Sequence, residues 1–182
     1  MPLHEIDGAL FNGHEVNQTM TLNDTEEWTM YNQTVNIAHP FHIHINPFQI
    51  TEVFQPNTPA ASTKGGPCYA DPLKPDTWKQ CTRMTGPFVW WDVFAIPTAR
   101  ADALPTTVCT EVDKCPAEIR KYTTCASGTC TVTIPGFFRM KSRFVDFTGQ
   151  YVLHCHILAH EDRGMMQLVE VVAKGVSQYE HH

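Results

Sequence analysis

The sequence predicts an all-β chain, folded as a sandwich or barrel. Three observations lead there. Apolar residues recur with period two rather than 3.6, Pro and Gly turn signals part the runs, and helical patterning is thin. "EEWTMYN" alternates around Trp28 and Met30. "FHIHINPFQITEVF" places Phe41, Ile43 and Ile45 on one face and His42 and His44 on the other. "FVWWDVFAI", "CTVTI", "MKSRFVDF", "QYVLHC" and "MMQLVEVV" read as further strands. Turns are expected at Asn12-Gly13, Pro47, Pro56, Gly86-Pro87, Pro97, Pro135-Gly136 and Thr148-Gly149. "CPAEIRKY" and "ILAHED" each suggest a helical turn or two. Residues 57–87 and 98–130 read as long loops inserted into the fold.

The chain has 182 residues, which suits a single domain over 1–182. A hydrophobic share of 42% is enough for a real core. The net charge of −6 comes without any run of Lys or Arg, which argues against nucleic acid or an anionic membrane as partner. No apolar stretch approaches the roughly 18 residues of a membrane span.

Seven cysteines divide unevenly. Cys155 sits inside a histidine cluster, while Cys68, Cys81, Cys109, Cys115, Cys125 and Cys130 fall in loop-like, Pro- and Gly-rich sequence. Six such cysteines suggest three disulfides, with 15 possible pairings, because loops that bury little need staples. Reduced thiols are the alternative, and a zinc site is disfavoured by the lack of a C-x2-C pair. Disulfides and sequons at Asn17, Asn23 and Asn32 fit an extracellular protein, although "MPLHEIDGAL" carries no signal-peptide pattern.

Two knots of metal-ligating side chains carry the chemistry. The second, "HCHILAHEDRGMM", supplies Cys155, then His160 after four residues, then Met165 after another four. A thiolate, two imidazoles and a distant thioether are the ligand set of a blue-copper electron-transfer site, and His39 from the first knot, "HPFHIH", is the candidate for the second imidazole. The remaining pairs, His42 with His44 and His154 with His156, are H-x-H motifs on strands. Each pair therefore points to one face, where two neighbouring pairs would converge as four imidazoles. Cys155, between His154 and His156, points to the other face. A thiolate so placed is one backbone step from ligands of a second metal site. Glu161 and Asp162 read as a solvated acidic turn.

The two motifs, in this order, resemble the copper motifs of the last cupredoxin domain of laccase-like multicopper oxidases. "NQTMTLNDTEEWTMYN", "NPFQI", "VWWDVFAIP" and "RFVDFTGQYVLHCHILAHEDRGMMQLVEV" extend the likeness over most of the chain outside the cysteine-bearing loops. The resemblance implies a cupredoxin-like Greek-key fold. It implies type 1 copper on His39, Cys155 and His160 with Met165 axial, type 2 copper on His42, and a type 3 pair on His44, His154 and His156. Met166, one residue along, is at the wrong spacing for that role and is expected to pack in the core. It also implies one-electron oxidation of phenols or aromatic amines, with electrons passing through Cys155 to His154 and His156 and on to oxygen. Such a cluster takes eight histidines, and this chain offers four. An N-terminal cupredoxin domain, another polypeptide or a second copy in a homodimer would complete it. A stand-alone blue-copper electron carrier is the alternative function, and a copper-storage or structural domain a third.

Overall fold

The computed structural model describes residues 4–79, 84 and 86–175. Among the described residues the strands form three sheets. The first runs in the order β1 (Val16–Thr21), β12 (Met166–Val172), β11 (Gly149–Cys155), β3 (His39–Ile43), β6 (Val93–Ile96). The second runs β2 (Thr25–Asn32), β10 (Gly136–Arg143), β4 (Phe48–Phe54), β5 (Trp90–Trp91). Only β1 and β12 pair in parallel within the first sheet; every other pairing in both sheets is antiparallel. Chain neighbours such as β1 and β2, or β10 and β11, lie in different sheets. The chain therefore crosses between layers in Greek-key fashion.

Alternation explains the packing. Phe41 and Ile43 of β3, Phe48 and Ile50 of β4, Phe138 and Met140 of β10 and Leu153 of β11 all turn inward and form one buried cluster between the sheets. Phe138 is fully buried and stacks on Phe48 at 5.9 Å. Truncating such a side chain costs about 3–5 kcal/mol. β1 escaped the sequence reading because "VNQTMT" shows little alternation; only Met20 is buried in it. Gly136 opens β10 where a side chain is impossible, since a Cβ there would stand 2.2 Å from the Pro97 carbonyl oxygen.

The alternation expected of Phe41, Ile43 and Ile45 fails at its last member. β3 ends at Ile43, and Ile45 is 52% exposed with φ at +66°. The cause is the next residue. Asn46 is buried, its amide donating to the Tyr151 hydroxyl at 2.8 Å, and satisfying that polar group swings Ile45 outward.

The segment 98–130, expected as loop, contains strands. β7 (Arg100–Ala103), β9 (Thr129–Ile134) and β8 (Thr123–Ala126) form a third, antiparallel sheet in that order. With α2 (Ala117–Arg120) and the 3-10 turn Pro75–Lys79 it encloses its own core of Trp78, Leu104, Ile119, Val132 and Ile134 against Phe54 and Phe137. Disulfides Cys109–Cys115 and Cys125–Cys130 staple it, and Cys68 is disulfide-bonded as well. Cys81 lies outside the described residues, as do His181 and His182. Arg100 is buried here, its Nη1 donating to the Pro56 and Ala61 carbonyls and its Nε to Asp102. The 57–79 part of the other expected loop carries only α1 (Pro59–Ser62) and the 3-10 turn. No helix among the described residues is long and apolar enough to cross a membrane.

Candidate metal centre

β3 and β11 are adjacent and antiparallel, with His154 opposite His42 and Cys155 opposite Phe41. Side chains alternate along both strands, so this pair of strands feeds two sites on opposite faces.

On the inner face Cys155 meets His39, the first residue of β3, and His160, carried by the single turn α3 (Leu158–Glu161). Cys155 Sγ lies 3.5 Å from His39 Nδ1 and 3.5 Å from His160 Nδ1, and the two nitrogens are 3.3 Å apart. The centre of such a triangle is about 2.0 Å from every corner, the length of a metal–imidazole bond. Two imidazoles and a thiolate in one plane is the trigonal set that suits copper. All three residues are buried.

Neighbouring groups aim the ligand atoms. Thr34 Oγ1 gives its proton to Asn32 Oδ1 at 2.6 Å, so at 3.1 Å it accepts from His39 Nε2 and leaves His39 Nδ1 as the free lone pair. Asn32 is 3% exposed, its amide donating to the Ile37 carbonyl at 2.8 Å. With its amide nitrogen buried and donating, Asn32 is not available as a glycosylation site. Met165 is tied in through its backbone: its carbonyl accepts from Cys155 N–H at 3.0 Å, and its own N–H donates to the His160 carbonyl at 3.0 Å. Gly164 precedes it at φ +88°, a conformation that favours glycine. Met165 lines a cavity of about 990 Å³ together with His39, Cys155 and Trp28. Met166, expected in the core, is instead half-buried opposite His154, on the face of the outer histidines.

Burial sets the protonation of the metal-free site. His39 is pushed down from 6.5 to about 4, first by burial and then by His160 and His4. His160 is lowered by burial, His4 and Arg163. Cys155 is raised, chiefly by burial, while a hydrogen bond from the Ile157 backbone N–H works the other way. Both imidazoles are thus neutral ligands at neutral pH, and a cation is what draws the thiol into its thiolate form.

The outer face gathers the remaining histidines. The ligand nitrogens of His42, His44 and His154 lie within 4.8 Å of one another. His154 Nε2 and His44 Nε2 are 3.3 Å apart. His156 stands at the margin, its ring 5.4 Å from that of His42 and 5.5 Å from that of His154. His42 Nδ1 donates to the Asp92 carbonyl at 2.7 Å, which leaves Nε2 as its ligand atom. His44 and His156 are exposed and His42 half-buried, but His154 is only 4% exposed. The patch is open on one side and rooted on the other. His44 is lowered from 6.5 by burial and by the neighbouring imidazoles His42 and His154.

Glu161 is the residue the sequence reading missed. Its carboxylate stands 3.3 Å from His154 Nδ1, which also lies 3.3 Å from the Cys155 carbonyl oxygen, and either acceptor directs Nε2 toward His44. Glu161 is half-buried against that ring rather than a solvated turn residue. The i+7 step from His154 through a helical turn was the available signal.

The family model described as multicopper oxidase matches residues 2–99 and 111–175. The chain belongs to the multicopper oxidase family. It is 25% identical over 178 residues to a laccase of Bacillus stratosphericus, covering 94% of this chain and 25% of that protein. It superposes on the multi-copper oxidase of Pediococcus acidilactici with a TM-score of 0.55 at 19% identity, over 97% of this chain and 25% of the other. A Campylobacter jejuni multicopper oxidase, described as a metallo-oxidase, gives 0.51 at 19% identity, over 91% and 22%. The fold of this multicopper oxidase domain is therefore cupredoxin-like, and copper is the metal its family implies. The chain spans about a quarter of the length of these relatives.

Proposed function

We propose that the chain is the type 1 copper domain of a laccase-like oxidase. His39, Cys155 and His160 would hold the type 1 copper, with Met165 as the further thioether donor, His42 would hold type 2 copper, and His44, His154 and His156 would serve the type 3 pair. Copper supplies reversible one-electron chemistry at each site. The protein's own part is to keep the inner triangle dry, to present an edge to a phenol or aromatic amine, and to join the two sites covalently. One observation carries the reading: Cys155 faces the triangle while its chain neighbours His154 and His156 face the outer patch. With copper bound, the Cys155 backbone would be the covalent path from the triangle to His154 and His156, and copper there would supply the chemistry for the four-electron, four-proton reduction of one oxygen to two waters.

The outer patch offers half of the eight imidazoles such a cluster takes, and its open side is where the others would enter. An N-terminal cupredoxin domain, another polypeptide or a second copy of this chain supplies them. An extracellular setting belongs to the same proposal and is supported by the stapled third sheet. The second reading, a lone electron carrier, is favoured only by the incompleteness of the patch. Copper loading followed by oxygen uptake with a phenol, together with mass in solution, separates them. A blue monomer that consumes no oxygen is an isolated domain awaiting its partner. A homodimer with turnover completes its own cluster. Turnover by a strict monomer overturns the proposal, since four histidines cannot supply eight ligands.

A further inference from the structure

The residues before β1 form a strap across the loop that carries His160 and Met165. Ile6 and Ala9 exchange backbone hydrogen bonds at 3.1 Å around a tight turn. Phe11 N–H donates to the Gly164 carbonyl at 2.9 Å, and Gln167 Nε2 donates to Asp7 Oδ2 at 3.1 Å. At the start of the described strap, His4 lays its ring on that of His160, the centroids 4.3 Å apart and the planes 31° from parallel. Arg163 Nη1 holds it there at 2.9 Å from His4 Nε2. A guanidinium has no acceptor, so His4 Nε2 accepts the bond and the ring proton sits on Nδ1. The ring is therefore aimed, not merely adjacent.

Of the three triangle residues, His160 is the least buried, at 9% exposure against 6% for His39 and 3% for Cys155. A donor approaching from solvent would meet the edge of His160 first, and His4 occupies part of that approach. The stack also keeps water off a ligand whose dryness helps set the potential of the metal.

We propose that His4, aimed by Arg163, is a positioning residue that covers His160 and controls how an electron donor reaches the inner triangle. This rests on the type 1 copper reading above. It assigns the strap a role in substrate selection: a donor must either displace the His4 ring or pass its electron across it.

The test has one arm without metal and one with it. In the metal-free chain, carbethoxylation of His160 by diethyl pyrocarbonate, followed by peptide mass spectrometry, reads cover directly. His4→Ala is expected to raise the rate several-fold, and His4→Phe, which keeps a ring of similar shape, to stay near wild type. In the copper-loaded chain, ferrocyanide gives one electron to Cu(II), becoming ferricyanide as Cu(I) forms. His4→Ala is expected to speed this step several-fold, and His4→Phe should again follow wild type. Unchanged modification and reduction rates in His4→Ala overturn the proposal. No blue band in any of the three proteins overturns the copper reading instead, while a several-fold modification contrast would still establish the cover.

Discussion

The inner triangle and the outer patch are fed by the same pair of strands, yet they are built oppositely. His39, Cys155 and His160 converge from one chain, are buried, and have their ligand atoms within 3.5 Å of each other. His42, His44, His154 and His156 converge on an open face, with three gathered and one at the margin. The difference teaches that a strand pair can finish one site and only begin another. The inner face closes on the sandwich core, whereas among the described residues no further layer lies over the outer face, where His44 and His156 are exposed.

The largest expected effect breaks the inner site alone. Cys155→Ser should abolish the intense visible absorption of the copper-loaded chain, and His44→Ala should leave it intact. A blue colour that survives the serine substitution would remove the triangle as its source.

Acid should separate the two regions next. In the metal-free chain His39 titrates at about 4 against 6.5 when unfolded. The unfolded state then binds the proton more readily, so the stabilisation is present above pH 6.5 and lost as pH falls toward 4. The loss is on the order of 3 kcal/mol. His160 shifts the same way. Urea unfolding at several pH values measures it, and His39→Gln should flatten the slope. A slope unaltered by that variant would mean that the triangle is not what acid breaks.

The outer patch is sharpened through Glu161. Glu161→Gln in the Cys155→Ser background should weaken zinc binding at the patch by about tenfold, the usual cost of losing a carboxylate behind a ligating imidazole. Equal affinity with and without the carboxylate would return Glu161 to a solvent role.

The smallest effect concerns Ile45, a β-branched residue at φ +66° beside His44. Ile45→Gly should stabilise the metal-free chain by about 1 kcal/mol, since the left-handed conformation costs roughly that much for residues with a Cβ. A lower urea midpoint would show that the exposed side chain contributes more than the backbone strain takes away.

Much of this was legible in the sequence. Strands with apolar alternation showed themselves, because one face of each lies on the core. The placement of seven candidate ligands followed from the same period of two and the short C-x4-H turn. The third sheet did not show: "RADA" and "TTCA" have little alternation, and their disulfides and turn residues look like loop chemistry. Glu161 was hidden because an acidic residue after a helical turn looks solvated until the turn is seen folding back onto β11. His4 had no motif at all. Its partner, His160, is more than a hundred and fifty residues away, and only tertiary contact reveals the pair.

The pairing of Cys155 with Phe41 and of His154 with His42 also acts as a check on assembly. A slip of β11 by one residue would turn every side chain over. The thiol would then emerge among the outer imidazoles, and two histidines would be driven into the hydrophobic interior beside Phe41 and Phe48. Such a misaligned chain would forfeit its core and expose an oxidisable sulfur at once. Copper captured by the inner triangle would therefore act as a latch on alignment, binding only chains whose strands had zipped in step.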